Sequence, residues 1–524
     1  MLFTRVIVPL AFVATLSASA PGSAVPSKPD DATILHVLNR VGFGARPGDV
    51  DRVRQTGLAS YIEQQLHPER IADAQMAARL AGFTTLTKSS RQLADDYYIP
   101  AQLAKQQAKK DATNDPSMTD ARPRTPEQMA LARKERAVLM ELSSQKILRA
   151  AYSDKQLEEV MTDFWFNHFN VFANKGATQQ YLTEYERETI RPRVLGKFRD
   201  LLGATAKSPA MLFYLDNWQS ADPEAEDRRG QLRARFQARF PDRMPPMQNA
   251  NQRPRRGLNE NYGRELMELH TLGVDGGYTQ QDVVNVARAF TGWTIEQPRL
   301  GGGFRFEPRL HDTQEKVVLG HKIKGGGGES DGEQVLDILA KHPSTARFIA
   351  TKLARRFVAD TPPPALVDRA AARFLETGGD IREVVRLILT SREFFAPEAV
   401  RAKVKTPFEF IVSTIRATGS EVESAEQLVQ AVRQLGMPLY MCQPPTGYAD
   451  RAEVWVNTGA LLNRMNFALQ LVGGRMRGVQ FGTAPVGPAL GGQLSEATAA
   501  TIAKATDPRQ VMALTLGSPE FQRR

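Results

Sequence analysis

The sequence predicts a mainly α protein, a large multi-helix body carrying one small β-hairpin insertion. Three observations carry this expectation. Apolar residues recur at helical spacing in most segments. Gly and Pro interrupt them at intervals of helix length. Strand-like alternation is confined to one stretch, Phe304-Arg305-Phe306 and Lys316-Val317-Val318-Leu319.

Taken along the chain, Ile34 to Arg40 has helical periodicity, ended by Gly42-Phe43-Gly44. Val50 to Leu66 is broken at Gly57 into two short helices. Leu103 to Lys134 is charged and contains Pro116, Pro123 and Pro126, which predicts a surface excursion, an insertion at about 103–134. Periodicity resumes from Ala137 to Val171. Ser208-Pro209 reads as an N-cap followed by the first helical residue. Thr279 opens a helix that stops at Gly292. Asp380 with Glu383 forms a capping-box variant. Amphipathic runs follow at Ala346–Val358, Pro364–Glu376 and Thr458–Val472. Leu387–Phe394 echoes Leu514–Phe521, which predicts two equivalent helix ends. The glycines at 301–303 and 325–328 flank the hairpin without the strand-to-helix context of a phosphate cradle.

The first 24 residues read as a signal peptide: Arg5, an apolar stretch from Val6 to Leu16, then small residues to Ala24. The expectation is an exported protein, periplasmic or secreted, with residues 25–524 as a single helical domain. One cysteine, Cys442, allows no internal disulfide and reads as a buried apolar residue. The chain has 68 Lys and Arg against 58 Asp and Glu, a net charge of +10 and a pI near 9.6. Nine of the arginines fall in a second insertion, at about 221–256. That segment would meet an anionic envelope polymer or a lipid surface. Export argues against nucleic acid.

The chemistry-bearing residues lie on two polar stripes. In Leu258–Leu272, Asn261, Glu265 and Glu268 fall at i, i+4 and i+7 beside an apolar face, with Arg264 next to them. His270 falls on the opposite flank. In the second segment Asp163, Asn167 and Asn170 repeat the spacing, and His168 projects into the apolar arc. His311-Asp312 lies in the hairpin connection. These types suit carboxylate and His chemistry. Glu265, His168, His311 and Asp312 are the catalytic candidates. Asn261, Arg264, Asn167 and Trp293 are the substrate-binding candidates. A divalent metal would take Glu265, Glu268 and Asp163. The alternative is a structural polar network that locks helix register.

Asp163-Phe-Trp-Phe-Asn-His-Phe-Asn-Val171 and Leu258-Asn-Glu-Asn-Tyr-Gly-Arg-Glu-Leu-Met-Glu-Leu-His-Thr-Leu-Gly273 resemble the signatures of a bacterial exported family catalogued as domain of unknown function 1800. Ala287-Arg-Ala-Phe-Thr-Gly-Trp-Thr294, the His311-Asp312 hairpin and Leu38-Asn-Arg-Val-Gly-Phe-Gly44 fit as well. So does Asn457-Thr458 with Arg464-Met-Asn-Phe467. The resemblance implies an exported helical protein, associated with sulfatase-like exported proteins and so with envelope or polysaccharide metabolism. It carries no established activity and no catalytic residue. Two functions therefore stand from the sequence. One is an envelope-associated hydrolase. The other is a non-catalytic binding or assembly protein whose stripes are structural.

Overall fold

The computed structural model describes residues 23–114, 125–224, 239, 257–482, 484–490 and 494–524. All but the last two residues of the predicted signal peptide, 1–24, and most of the Arg-rich insertion lie outside the described residues. The protein is mainly α, with three two-stranded antiparallel sheets among the described residues.

Helix α1 (Asp31–Val41) starts where the Asp30 side chain accepts the Thr33 N–H at 2.8 Å, and it ends at Gly42. Gly57, at φ +85°, separates helices Asp49–Thr56 and Leu58–Leu66. The predicted excursion is largely regular. Helix α2 (Ile99–Asn114) leads into it, and α3 (Pro126–Tyr152) leads out and packs on α2. Thr125 and Gln128 form a capping box with Pro126 at the first helical position, so this proline starts a helix inside the expected excursion. Helix α4 (Gln156–His168) carries Asp163 and Asn167 of the first polar stripe and ends before Asn170, short of the expected run to Val171.

The second stripe spans α5 (Glu260–Met267) and a π-helical turn, Glu268–Leu272. A π turn has more residues per turn than an α-helix. The 100° projection that placed Glu268 and His270 therefore fails beyond Met267. Helix α6 (Gln280–Ala289) follows, with Thr279 capped by Asp282.

The strands pair differently from the expected single hairpin. β1 (Trp293–Ile295) pairs with β2 (Phe304–Phe306), and β3 (Lys316–Val318) pairs with β4 (His321–Ile323). Two short ribbons exist because each segment finds its nearest chain neighbour. Gly292 (φ +79°) makes the entry to β1, where a Cβ would stand 2.7 Å from the Glu307 carbonyl. β5 (Glu421–Val422) and β6 (Val479–Gln480) complete the set.

Further on, α7 (Pro343–Phe357), α8 (Pro407–Thr418), α9 (Thr458–Val472) and α10 (Pro508–Gly517) build the second half. One hydrophobic cluster contains residues from Ile34 to Phe521, with Trp165, Phe169, Phe198 and Trp293 among its largest members. The echoed helix ends are equivalent. Ser391 Oγ accepts from Phe394 N and Ser518 Oγ from Phe521 N, each at 3.2 Å, and both phenylalanines are buried. No described helix is long and apolar enough to cross a membrane.

Candidate functional site

The α4 stripe faces the irregular segment 437–448. Asn167 takes both main-chain groups of Tyr448. Its Nδ2 donates to the carbonyl at 2.8 Å, and its Oδ1 accepts the N–H at 2.7 Å. Asn170 Nδ2 donates to the carbonyls of Cys442 and Pro444, at 2.9 and 2.8 Å. Tyr448 closes the loop by donating to the Pro438 carbonyl at 2.7 Å. Only a residue without Cβ permits this approach: Gly447 has φ +73°, and a Cβ there would stand 2.3 Å from the Asn167 carbonyl. Two side-chain amides thus do for this loop what a sheet ladder does for a strand.

Beneath the loop is a small cleft of about 30 Å³ bordered by Lys146, Asp163, Phe166, Tyr440 and Cys442. Asp163 pairs with Lys146 at 2.8 Å. The Lys146 ammonium also lies 5.4–5.6 Å from the ring centres of Phe166, Phe408 and Tyr440. The same pair borders a second, tighter cavity with Glu159, Glu186 and Arg191. Glu186 accepts from Tyr440 Oη at 2.6 Å and from Gln145 Nε2 at 2.5 Å. Burial works to raise its pKa, but Lys146 and Arg191 hold the carboxyl below its ordinary value. Arg191 spans Glu159 at 2.7 Å and Glu186 at 3.4 Å. Burial pushes the Cys442 thiol up to about 11, so it is an apolar wall and not a nucleophile at neutral pH.

His168 is buried away from this cleft. Its Nε2 donates to the His270 carbonyl at 3.1 Å, and Nδ1 accepts from Lys352 at 2.8 Å. Desolvation and the Lys352 charge keep the ring well below the usual histidine range. Both nitrogens are engaged, and aromatic rings of Phe164, Trp165 and Phe169 surround it. His311 and Asp312 form a different buried cluster. His311 Nδ1 faces the Thr291 carbonyl at 2.8 Å and Nε2 faces Asp331 at 3.2 Å. Asp312 takes a two-pronged pair from Arg288, at 2.7 and 3.1 Å. Lys316 bonds Asp331 at 2.8 Å. This network ties β3 to α6 and helix Glu329–Lys341. Trp293, read as a substrate contact, is sealed in the core against Gly332, where a Cβ would stand 2.5 Å from its ring. It offers no face to a ligand.

On α5, Asn261 is exposed, and Arg264 donates to Gln280 at 2.7 Å. Glu268 accepts from Tyr278 Oη at 2.9 Å. Glu265 is partly buried, and no described side chain hydrogen-bonds to it. Burial first, then the neighbouring Glu268, raises its pKa, against the pull of Arg264. Its charge also acts on Tyr214, which donates to the Gln443 carbonyl at 2.7 Å and so touches the clamped loop.

The structure therefore divides the sequence constellation. Asp163, Asn167 and Asn170 meet at the loop. Glu265 and Glu268 lie on α5 and its π turn. His168 and His311-Asp312 belong to separate buried networks. The metal set is split in the same way: Lys146 occupies Asp163, and among the described residues no group of three or more His, Cys, Asp or Glu could hold a metal ion. Sequence reasoning missed Lys146, Glu186, Tyr440 and Lys352. They come from distant segments, and no local spacing links them.

The fold and site define a mainly α protein with an amide-clamped loop over a polar cleft. Residues 36–523 match the family described as "Protein of unknown function (DUF1800)", and the chain belongs to it. No curated protein and no solved structure matches the chain.

Proposed function

We propose that this chain is an exported binding or assembly protein of the bacterial envelope, with its polar stripes acting as internal clamps. The observation that carries this reading is the two-sided hold of Asn167 and Asn170 on the 442–448 backbone. Polar groups bonded in this way fix a surface shape. His168, His311 and Asp312 are engaged in the same manner. The partner is an anionic envelope polymer or lipid surface met by the arginines between 228 and 256. By family association, a sulfatase-like exported protein is the second partner. The test is binding of the mature protein to an anionic polysaccharide at rising salt. Affinity should fall steeply as the Debye length shrinks below about 10 Å, and should be lost when residues 225–256 are removed. Binding that ignores salt, or survives the deletion, overturns the reading.

A second reading rests on Glu265. A partly buried carboxyl with a raised pKa and no hydrogen bond is the form a general base takes. In that case the chain is a hydrolase of envelope polysaccharide. Glu265→Gln should then abolish release of reducing ends from such a polymer, by a factor on the order of 10²–10⁴. Equal turnover by wild type and variant ends the hydrolase reading.

A further inference from the structure

The two ends of the described chain meet around a small cavity of about 30 Å³. α1 contributes His36 and Asn39 to its wall. The segment before α8 contributes Arg401 and Lys405, and the turn after α10 contributes Phe521 and Arg524. Main-chain bonds fix that turn: Lys405 N donates to the Gln522 carbonyl at 2.8 Å, and Arg524 N to the Lys403 carbonyl at 2.8 Å.

Behind the wall, cations outnumber anions. Arg40, Arg356, Lys405, Arg464 and Arg524 are each no more than 5% exposed. One equally buried carboxylate, Glu409, pairs with Arg356 and with Arg524. Asp360 and Asp450 are taken by Lys403. Among the described residues, Arg40 Nε and Nη1, Arg464 Nε and Arg524 Nη2 have no hydrogen-bond partner. The Lys405 ammonium lies 3.9 Å from the Phe521 ring centre. Glu520 lines the cavity, but its carboxylate accepts from Ser495 N and Thr498 Oγ1, each at 3.1 Å. Buried cations short of counter-ions are costly, and of these Lys405 and Arg524 line the cavity, where an entering anion would reach them.

His36 narrows the choice of anion. Its Nε2 donates to the Phe394 carbonyl at 2.8 Å, and burial keeps the ring neutral. Nδ1 is then an acceptor with no donor. A carboxylate has no proton to offer it, whereas a monoprotonated phosphate has one. Guanidinium and ammonium groups are the usual holders of phosphate oxygens. We propose that this cavity is a phosphate-binding site, taking free phosphate or the terminal group of a phosphate monoester. Lys405 and Arg524 hold its oxygens, and His36 Nδ1 accepts a hydrogen bond from its P–OH. The site stands independently of the polymer reading above, which rests on a different segment.

The test is thermal unfolding of the full chain at constant ionic strength, titrated with inorganic phosphate, glucose 6-phosphate or acetate. Phosphate should raise Tm saturably, by on the order of 2 °C, and acetate should not. A matching rise with glucose 6-phosphate assigns the site to presented monoesters; a rise with inorganic phosphate alone assigns it to the free ion. Lys405→Met should abolish the rise. Asn39→Asp, which sets a carboxylate in the wall of the cavity, should do the same and serves if the first variant does not fold. No rise in wild type, an equal rise with acetate, or a rise unchanged in a folded variant overturns the proposal.

Discussion

Asn167 is a surface polar residue by type and a structural bond by position. Its amide replaces water at both polar groups of Tyr448. Asn167→Ala should lower unfolding stability by about 1–3 kcal/mol, because two main-chain groups lose their partner. Denaturant titration measures it, and a loss under ~0.5 kcal/mol would show that the loop finds other partners. Glu409 is the opposite case, a carboxylate whose removal strands Arg356 and Arg524. Glu409→Gln should cost about 3–5 kcal/mol, and wild-type stability in that variant would remove Glu409 from its place as counter-ion. The stripe spacing was visible in the sequence. What each amide bonds to was not, since Tyr448 and Cys442 are more than 270 positions away.

At the scale of elements, local rules worked where a segment's own residues decide its form. Thr279, Asp380 and Gly57 start or stop helices through side-chain caps and a positive φ. They failed at α5, whose last turn widens to a π-helix, and at the two ribbons, whose pairing depends on which strand lies nearest. The 437–448 loop tests this level directly. Gly447→Ala adds a Cβ at positive φ against the Asn167 carbonyl. It should destabilise the protein by more than about 1 kcal/mol and increase proteolysis between 437 and 448. Cleavage rates equal to wild type would show that the loop is held elsewhere.

For the whole molecule, buried titratable groups set the response to pH. Burial pushes His36 and His270 down to about 3. The unfolded chain binds those protons near pH 6.5, so stability falls as pH drops from about 6.5 towards 3. Glu409 and Glu186, held below the ordinary glutamate value, add a further loss as pH falls past about 4.3. Lys405 and Lys352, pushed down to about 7 and about 8 by burial, act in the same direction at higher pH. The unfolded chain keeps those protons up to about 10.4, so stability rises from pH 7 towards 10. Unfolding in phosphate-free buffer should therefore give a Tm that increases steadily from pH 4 to pH 9. A maximum near pH 6 would contradict this reading of the buried histidines and lysines.

The sequence by itself determined the helical class, several helix starts and stops, the equivalence of the two echoed helix ends and the family. Those features depend on periodicity, caps and motifs within some tens of residues. Only the tertiary structure decided what the polar residues do. It separated His168, Glu265 and His311 into different networks, turned the asparagine stripe into a clamp, and brought His36, Lys405 and Arg524 to one cavity. The physical reason is that a buried polar group is defined by its partner, and here the partners lie hundreds of residues apart in the chain.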